Sequence, residues 1–290
     1  MAANLDYEKI SLTAKLTAYM RQFSDIPFAK DVAIAIHARE AFETLLRDHQ
    51  MTPEDLTWYA PILEVRWKGV TQAIRKSGCR QVLELASGLA FRGLAMARDP
   101  EVTYIETDLP EITREKATLT DELRARYRLP DQGNLHFSVV NALDAREFWS
   151  AVKSLRQKQP LAIVHEGLLQ YLSPAELNTV AMNIRDLLDE FGGVWITPDF
   201  SLKNEIASVS EQQRKFRQIV TGATDRPMYN NAFASMDELQ AFFSGLDLQA
   251  QMLSAVDEAG QIVSLETLGL SRAIVDEARS RLRLWVLSIK

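Results

Sequence analysis

The chain has 290 residues, enough for one large α/β domain with additions or for two domains. Apolar residues make up 47% and charged ones 25%, an ordinary globular composition, and a net charge of -6 argues against a broad nucleic-acid surface. The single cysteine, Cys79, excludes an internal disulfide, and no run of about eighteen apolar residues is present to span a membrane.

The N-terminus carries Asp6 and Glu8 and no apolar stretch, so it reads as something other than a secretory leader, and a cytoplasmic location is expected. Residues 1–77 read as a helical cap. Ile10 to Phe23 and Asp31 to Asp48 each carry apolar residues at helical spacing, and Thr52-Pro53-Glu54-Asp55 has the N-cap, first-turn proline and early acids of a third helix start. From residue 78 the period changes. Gln81–Leu85, Val102–Thr107, Leu135–Val140, Leu161–His165 and Gly193–Thr197 are short apolar runs, with helical segments near 91–98, 111–127, 145–156 and 174–191 between them. That alternation predicts right-handed crossovers and a parallel sheet covered on both faces. Ser173-Pro174-Ala175-Glu176 is a capping box, and Gly192-Gly193 closes the helix it opens. Residues 201–235 are polar and read as a helical lid insert, with Arg214, Arg217, Arg226, Tyr229 and Asn230 facing the site. A second capping box, Ser235-Met236-Asp237-Glu238, then opens residues 236–290, where Leu246–Leu253 and Arg283–Ile289 complete a seven-stranded, mostly parallel, doubly wound sheet. Trp58, Trp67, Trp149 and Trp195 read as packing residues, and Arg124, Arg126 and Arg128 as decoration on an exposed helix end.

Ligands of open α/β sheets bind outside the carboxyl ends of the strands, at the point where strand order reverses. The first strand ends Glu84-Leu85-Ala86-Ser87-Gly88, the second at Asp108, the third at Asn141-Ala142-Leu143, and the fourth at His165-Glu166-Gly167. Polar groups at four consecutive strand ends predict one convergent site on residues 78–200. Small residues at Ala86 and Gly88 let the turn pass close to a ligand, and Asp108 offers a carboxylate to two ribose hydroxyls. A helix N-cap is the structural alternative for Asp108. Asn141 donates and accepts toward a base edge. Glu84, inside an apolar strand, needs backbone amides or a cation near the turn. Glu166 is hemmed in similarly and suits a ligand ammonium. His165 points to the opposite face if the strand continues through it and reads as a structural histidine. No metal-site spacing, GxSxG or Walker pattern is present.

These residues together resemble the class I S-adenosylmethionine-dependent methyltransferases, and within them the leucine carboxyl methyltransferase group that includes polyketide O-methyltransferases. The resemblance covers residues 60 to 200. It rests on Val82–Arg92, on Tyr104-Ile105-Glu106-Thr107-Asp108-Leu109-Pro110, on Asn141-Ala142-Leu143-Asp144, and most specifically on Glu166-Gly167-Leu168-Leu169-Gln170-Tyr171-Leu172. It implies a Rossmann-like methyltransferase fold and S-adenosylmethionine as cofactor. Glu166 would then lie near the methionine end, Asn141 or Leu143 beside the adenine, and Arg66 on the cofactor carboxylate. Where this chain has Ala86 and Asn141 the group usually has Gly and Asp.

The implied activity is O-methylation of a carboxylate or hydroxyl on a small molecule or peptide terminus, with no nucleic acid or membrane partner. A carboxylate acceptor needs no base, being ionised at neutral pH. A phenol would, and His165 and Tyr229 are the residues to consider for that role. The alternatives are a non-catalytic cofactor-binding sensor or activating subunit, and a nicotinamide-dependent oxidoreductase, the last disfavoured by the missing GxGxxG.

Overall fold

The computed structural model describes residues 7–49, 51–224 and 226–290, so the N-terminal acid Asp6 lies outside it. Three helices open the fold: α1 (Tyr7–Arg21), α2 (Ala29–Ala35) and α3 (Ala38–Leu46). The single helix expected over residues 31–48 is thus two, broken at His37, whose φ is 50°. The break has a reason. The buried residues Val32 and Ile36 form one stripe, and Ala38, Phe42 and Leu46 form another that starts two residues on, about 200° round a straight helix. Two helices bring both stripes onto one core. The helix start expected at Thr52 opens a 3-10 stretch, Pro53–Tyr59, on a capping box of Thr52 with Asp55, and α4 (Ala60–Ser77) then follows.

The sheet comprises β1 (Gln81–Leu85), β2 (Thr103–Asp108), β3 (Leu135–Val139), β4 (Leu161–His165), β5 (Gly193–Thr197), β6 (Leu248–Ser254) and β7 (Arg283–Ile289). Their order is β3-β2-β1-β4-β5-β7-β6, and β7 alone runs antiparallel to its neighbours. The reversal of order falls between β1 and β4, which pair in parallel from Gln81 opposite Leu161 to Leu85 opposite His165. Strands β1 and β4 are buried on both faces, as their predominantly apolar runs predict. The crossovers are α5 (Arg92–Met96), α6 (Pro110–Tyr127), α7 (Ala145–Ala151) and α8 (Pro174–Phe191), with the Ser173 capping box intact. After β5 come α9 (Lys203–Ala207), α10 (Glu211–Thr224) and α11 (Met236–Gly245). The second capping box is only half formed. Ser235 accepts from the Glu238 N–H, whereas the Glu238 carboxylate takes the N–H of Ala234.

Residues 255–282, given no elements above, hold α12 (Ala255–Ala259), α13 (Val263–Thr267) and α14 (Ala273–Ala278). They dock on α4, where the buried Glu64 carboxylate accepts the N–H groups of Val263 and Ser264, each at 2.8 Å. Val82, Tyr104 and Ala162 face one core with α4 and α6, whereas Leu83, Ile105 and Ile163 face the other with α7 and α8. Trp195 is fully buried, but Trp149 is 39% exposed and packs no core. Among the described residues no helix is long and apolar enough to cross a membrane.

Candidate active site

The carboxyl ends of β1 to β4 open into a cavity of ≈ 210 Å³ whose walls include Ala86, Gly88, Asp108, Asn141, Ala142, Leu143 and Glu166. Thr17 and Arg21 of α1, Arg66 of α4 and Tyr171 complete the wall. Convergence of four strand ends on one cavity is what the sequence pattern predicts.

The turn after β1 sets its floor. Ala86 and Gly88 both take left-handed backbone angles, φ 48° and 51°, which costs a non-glycine residue about 1–2 kcal/mol. The Ser87 N–H donates to the Thr107 carbonyl at 2.9 Å, and the Gly88 N–H to Asp108 Oδ2 at 2.7 Å. Asp108 Oδ1 accepts the Leu109 N–H at 2.8 Å, and its side chain caps no helix, since α6 starts from Leu109 without a side-chain bond. Burial raises the Asp108 carboxyl, outweighing the two N–H donors that lower it. Lys116, buried to 1% exposure, ties this turn to the sheet through Ser87 O at 3.3 Å and Glu106 at 3.1 Å.

Glu84 finds the cation that its burial requires. Its carboxylate is held by Arg92 and by the Tyr104 hydroxyl at 2.7 Å, and it does not line the cavity. Arg92, fully buried, reaches on to Glu166 at 2.9 Å. Glu166 also takes Arg21 at 3.0 Å and has Arg66 at 3.8 Å, and although burial raises its carboxyl these three arginines hold it below the usual range. The sequence gives no sign that Glu166 has three arginine neighbours. Even so, donors on the cavity wall keep spare capacity. Among the described residues the buried Nε of Arg21 and the Oγ of Ser87 have no hydrogen-bond partner, and Arg66 Nε has only its 3.8 Å ion pair with Glu166. Buried donors in that state suit an incoming carboxylate.

Asp199 is the residue that the strand-end search passed over. It follows β5 in Thr197-Pro198-Asp199, and the same rule applied to the fifth strand would have found it. It accepts from Arg66 at 2.7 Å, from His165 Nδ1 at 3.0 Å, and from the N–H groups of Gly167, Leu168 and Leu169. Burial raises its carboxyl, but the His165 and Arg66 contacts more than reverse this and hold it far below the usual value.

His165 is fully buried, and its Nε2 accepts from Trp195 Nε1 at 2.9 Å, so Nδ1 carries the proton toward Asp199. With both nitrogens engaged and no place on the cavity wall, it is no base for an acceptor. Tyr229 misses this cavity as well. It lines a second one, of ≈ 140 Å³, that shares Tyr59, Arg66 and Gln170 with the first. Of the other insert residues, Arg226 lines the first cavity and pairs with Glu176 at 3.1 Å, and Arg217 lines the second. Arg214 and Asn230 are exposed. Asn141 keeps Oδ1 on the Leu143 N–H at 3.0 Å, which leaves its amide nitrogen as the group to meet a ligand.

The fold has counterparts among solved structures. A DUF574 family protein from Streptomyces avermitilis aligns over 96% of this chain and 97% of its own, with a TM-score of 0.59 and 14% identity. An O-methyltransferase family protein from Burkholderia thailandensis aligns over 91% of this chain and 63% of its own, with a TM-score of 0.51 and 16% identity. The sheet is that of the class I methyltransferase fold. A family model described as leucine carboxyl methyltransferase matches residues 27–185, more than half the chain. The chain belongs to the leucine carboxyl methyltransferase family. A Mycobacteroides abscessus protein named "Putative S-adenosyl-L-methionine-dependent methyltransferase" is 30% identical over 156 residues, 49% of this chain and 45% of the relative. A Mycolicibacterium gilvum protein of the same name is 29% identical over 154 residues, 52% and 46% of the two chains. The chain thus aligns with about half the length of the curated relatives it matches.

Proposed function

We propose that this protein transfers a methyl group from S-adenosylmethionine to an oxygen, first of all a carboxylate oxygen, of a small molecule or peptide terminus. The carrying observation is the pairing of Asp108 with Gly88 in the turn after β1, together with the unfilled hydrogen-bonding capacity, among the described residues, of the neighbouring Ser87 and of Arg21 and Arg66 on the same cavity wall. That arrangement fits a nucleoside joined to an amino acid. Asp108 would take the ribose hydroxyls, the Asn141 amide and Leu143 the adenine, and Arg21 with Arg66 the carboxylate. When bound, the sulfonium supplies a methyl group that needs no further activation. The protein's part is alignment and exclusion of water.

Carboxylate as acceptor is supported by the lack of a usable base on the described walls. His165 is sealed, burial pushes Tyr59 up to about 12, and Asp199 is held far too acidic to take a proton. A second cavity beside the first supports an enzyme over a binding-only sensor, because a sensor needs no acceptor chamber. The test has two parts. Calorimetry with S-adenosylhomocysteine should give saturable heat that NAD does not give. Methyl transferred from labelled cofactor to an acid acceptor should then be released as methanol by mild base. No heat with the homocysteine product refutes the cofactor assignment, and a base-stable product refutes the carboxylate.

A further inference from the structure

The second cavity, ≈ 140 Å³, is close to the roughly 150 Å³ that admits a benzene ring. Trp58, Ile62, Phe216 and Met228 give it an apolar wall. Arg217 and Arg281 give it charge, and they line this cavity only. The acids on the same wall are already paired, Asp199 with Arg66 and Glu205 with Arg283. Arg217 donates to the Ile206 carbonyl at 2.9 Å and lies 4.7 Å from the centre of the Tyr229 ring. Among the described residues neither Arg217 nor Arg281 has an ion-pair partner. Burial presses Arg217 below the ordinary guanidinium value; Tyr229 and Tyr59 oppose it, and the Arg281 charge adds a smaller push in the same direction as burial. Two half-buried like charges on one apolar cavity are costly unless an anion joins them. The backbone is shaped around this spot too. Tyr229 sits at φ 63°, an angle that only surrounding structure sustains, with its N–H on the Gln170 carbonyl at 2.7 Å.

We infer that the second cavity binds the methyl acceptor, and that the acceptor carries an oxyanion, held by Arg217 and Arg281, on an apolar body. The reacting oxygen then lies at the other end, at the wall of Tyr59, Arg66 and Gln170 that the two cavities share. This rests on the first cavity being the methyl donor's site. It adds that the acceptor has a charged handle separate from the oxygen that is methylated.

The probes are benzoate, phenyl phosphate and neutral benzamide, titrated by ligand-observed NMR with and without S-adenosylhomocysteine. The wild type should bind one or both oxyanions at least tenfold more tightly than benzamide, and the stronger of the two tells carboxylate from phosphate. Arg217→Gln and Arg281→Gln should each weaken that oxyanion at least tenfold and leave S-adenosylhomocysteine affinity within about twofold, which also shows that the variants are folded. Equal binding of benzamide, or oxyanion binding unchanged in both variants, overturns the inference. Failure of the cofactor assignment would look different: no heat with S-adenosylhomocysteine, with the oxyanion pattern intact.

Discussion

Replacing Asp199 by Asn keeps the shape of the side chain and removes the charge on which five donors converge. In the wild type the carboxylate accepts three consecutive backbone N–H groups, the Arg66 guanidinium and His165 Nδ1. Breaking a buried pair by removing one partner costs about 3–5 kcal/mol. The contacts act as one unit, so single-bond values are not summed. In mid-sized domains 1 kcal/mol corresponds to roughly 2–4 °C in Tm, so a loss of roughly 6–20 °C is expected. That is a large part of a typical stability of about 5–15 kcal/mol, and the variant should still fold. The pH dependence carries a sign. Asp199 is held below its unfolded value, so its contribution is present above about pH 3.9 and is lost only as pH falls toward the folded value. The stability gap between wild type and Asp199→Asn should therefore be level from pH 8 to 5 and shrink below about pH 4. Urea and thermal unfolding followed by circular dichroism measure both quantities. A Tm loss under about 2 °C, or a gap that changes between pH 8 and 5, would refute the reasoning.

Three further outcomes are expected. Asp108→Ala should weaken S-adenosylhomocysteine binding by about 1–3 kcal/mol in calorimetry, the cost of unpairing buried polar groups, and wild-type affinity in this variant would remove Asp108 from the site. Lys116→Met should destabilise by about 3–5 kcal/mol in urea unfolding, because Glu106 is left buried without its cation. Burial lifts the Glu106 carboxyl to about 7 against the pull of Lys116. Stability tied to its protonated form is thus complete below about pH 4.3 and fades as pH rises through about 7; Glu106→Gln should flatten that slope, and an unchanged slope would assign it to another group.

What the sequence determines by itself is the sheet and the floor of the cavity. Gln81–Leu85, Leu161–His165, Gly193–Thr197 and Arg283–Ile289 are strands with the ends read from pattern, because a short, mostly apolar run bounded by polar or turn residues marks a strand at the core of the sheet. Asp108 and Gly88 are likewise legible, since a turn and the neighbouring strand end meet through local geometry and pairing register. Even the break at His37 is written in the shift of the apolar stripe. The tertiary structure alone decides the charges. Arg21, Arg66 and Arg92 reach Glu166 from 145, 100 and 74 residues away. It also assembles the second cavity from the segment after α3, from α10 and from the turn after α14. Hydrophobic periodicity reports which face of an element is buried. Coulomb attraction acts through space and leaves no period in the chain, so the partner of a buried charge is known only once the helices have packed.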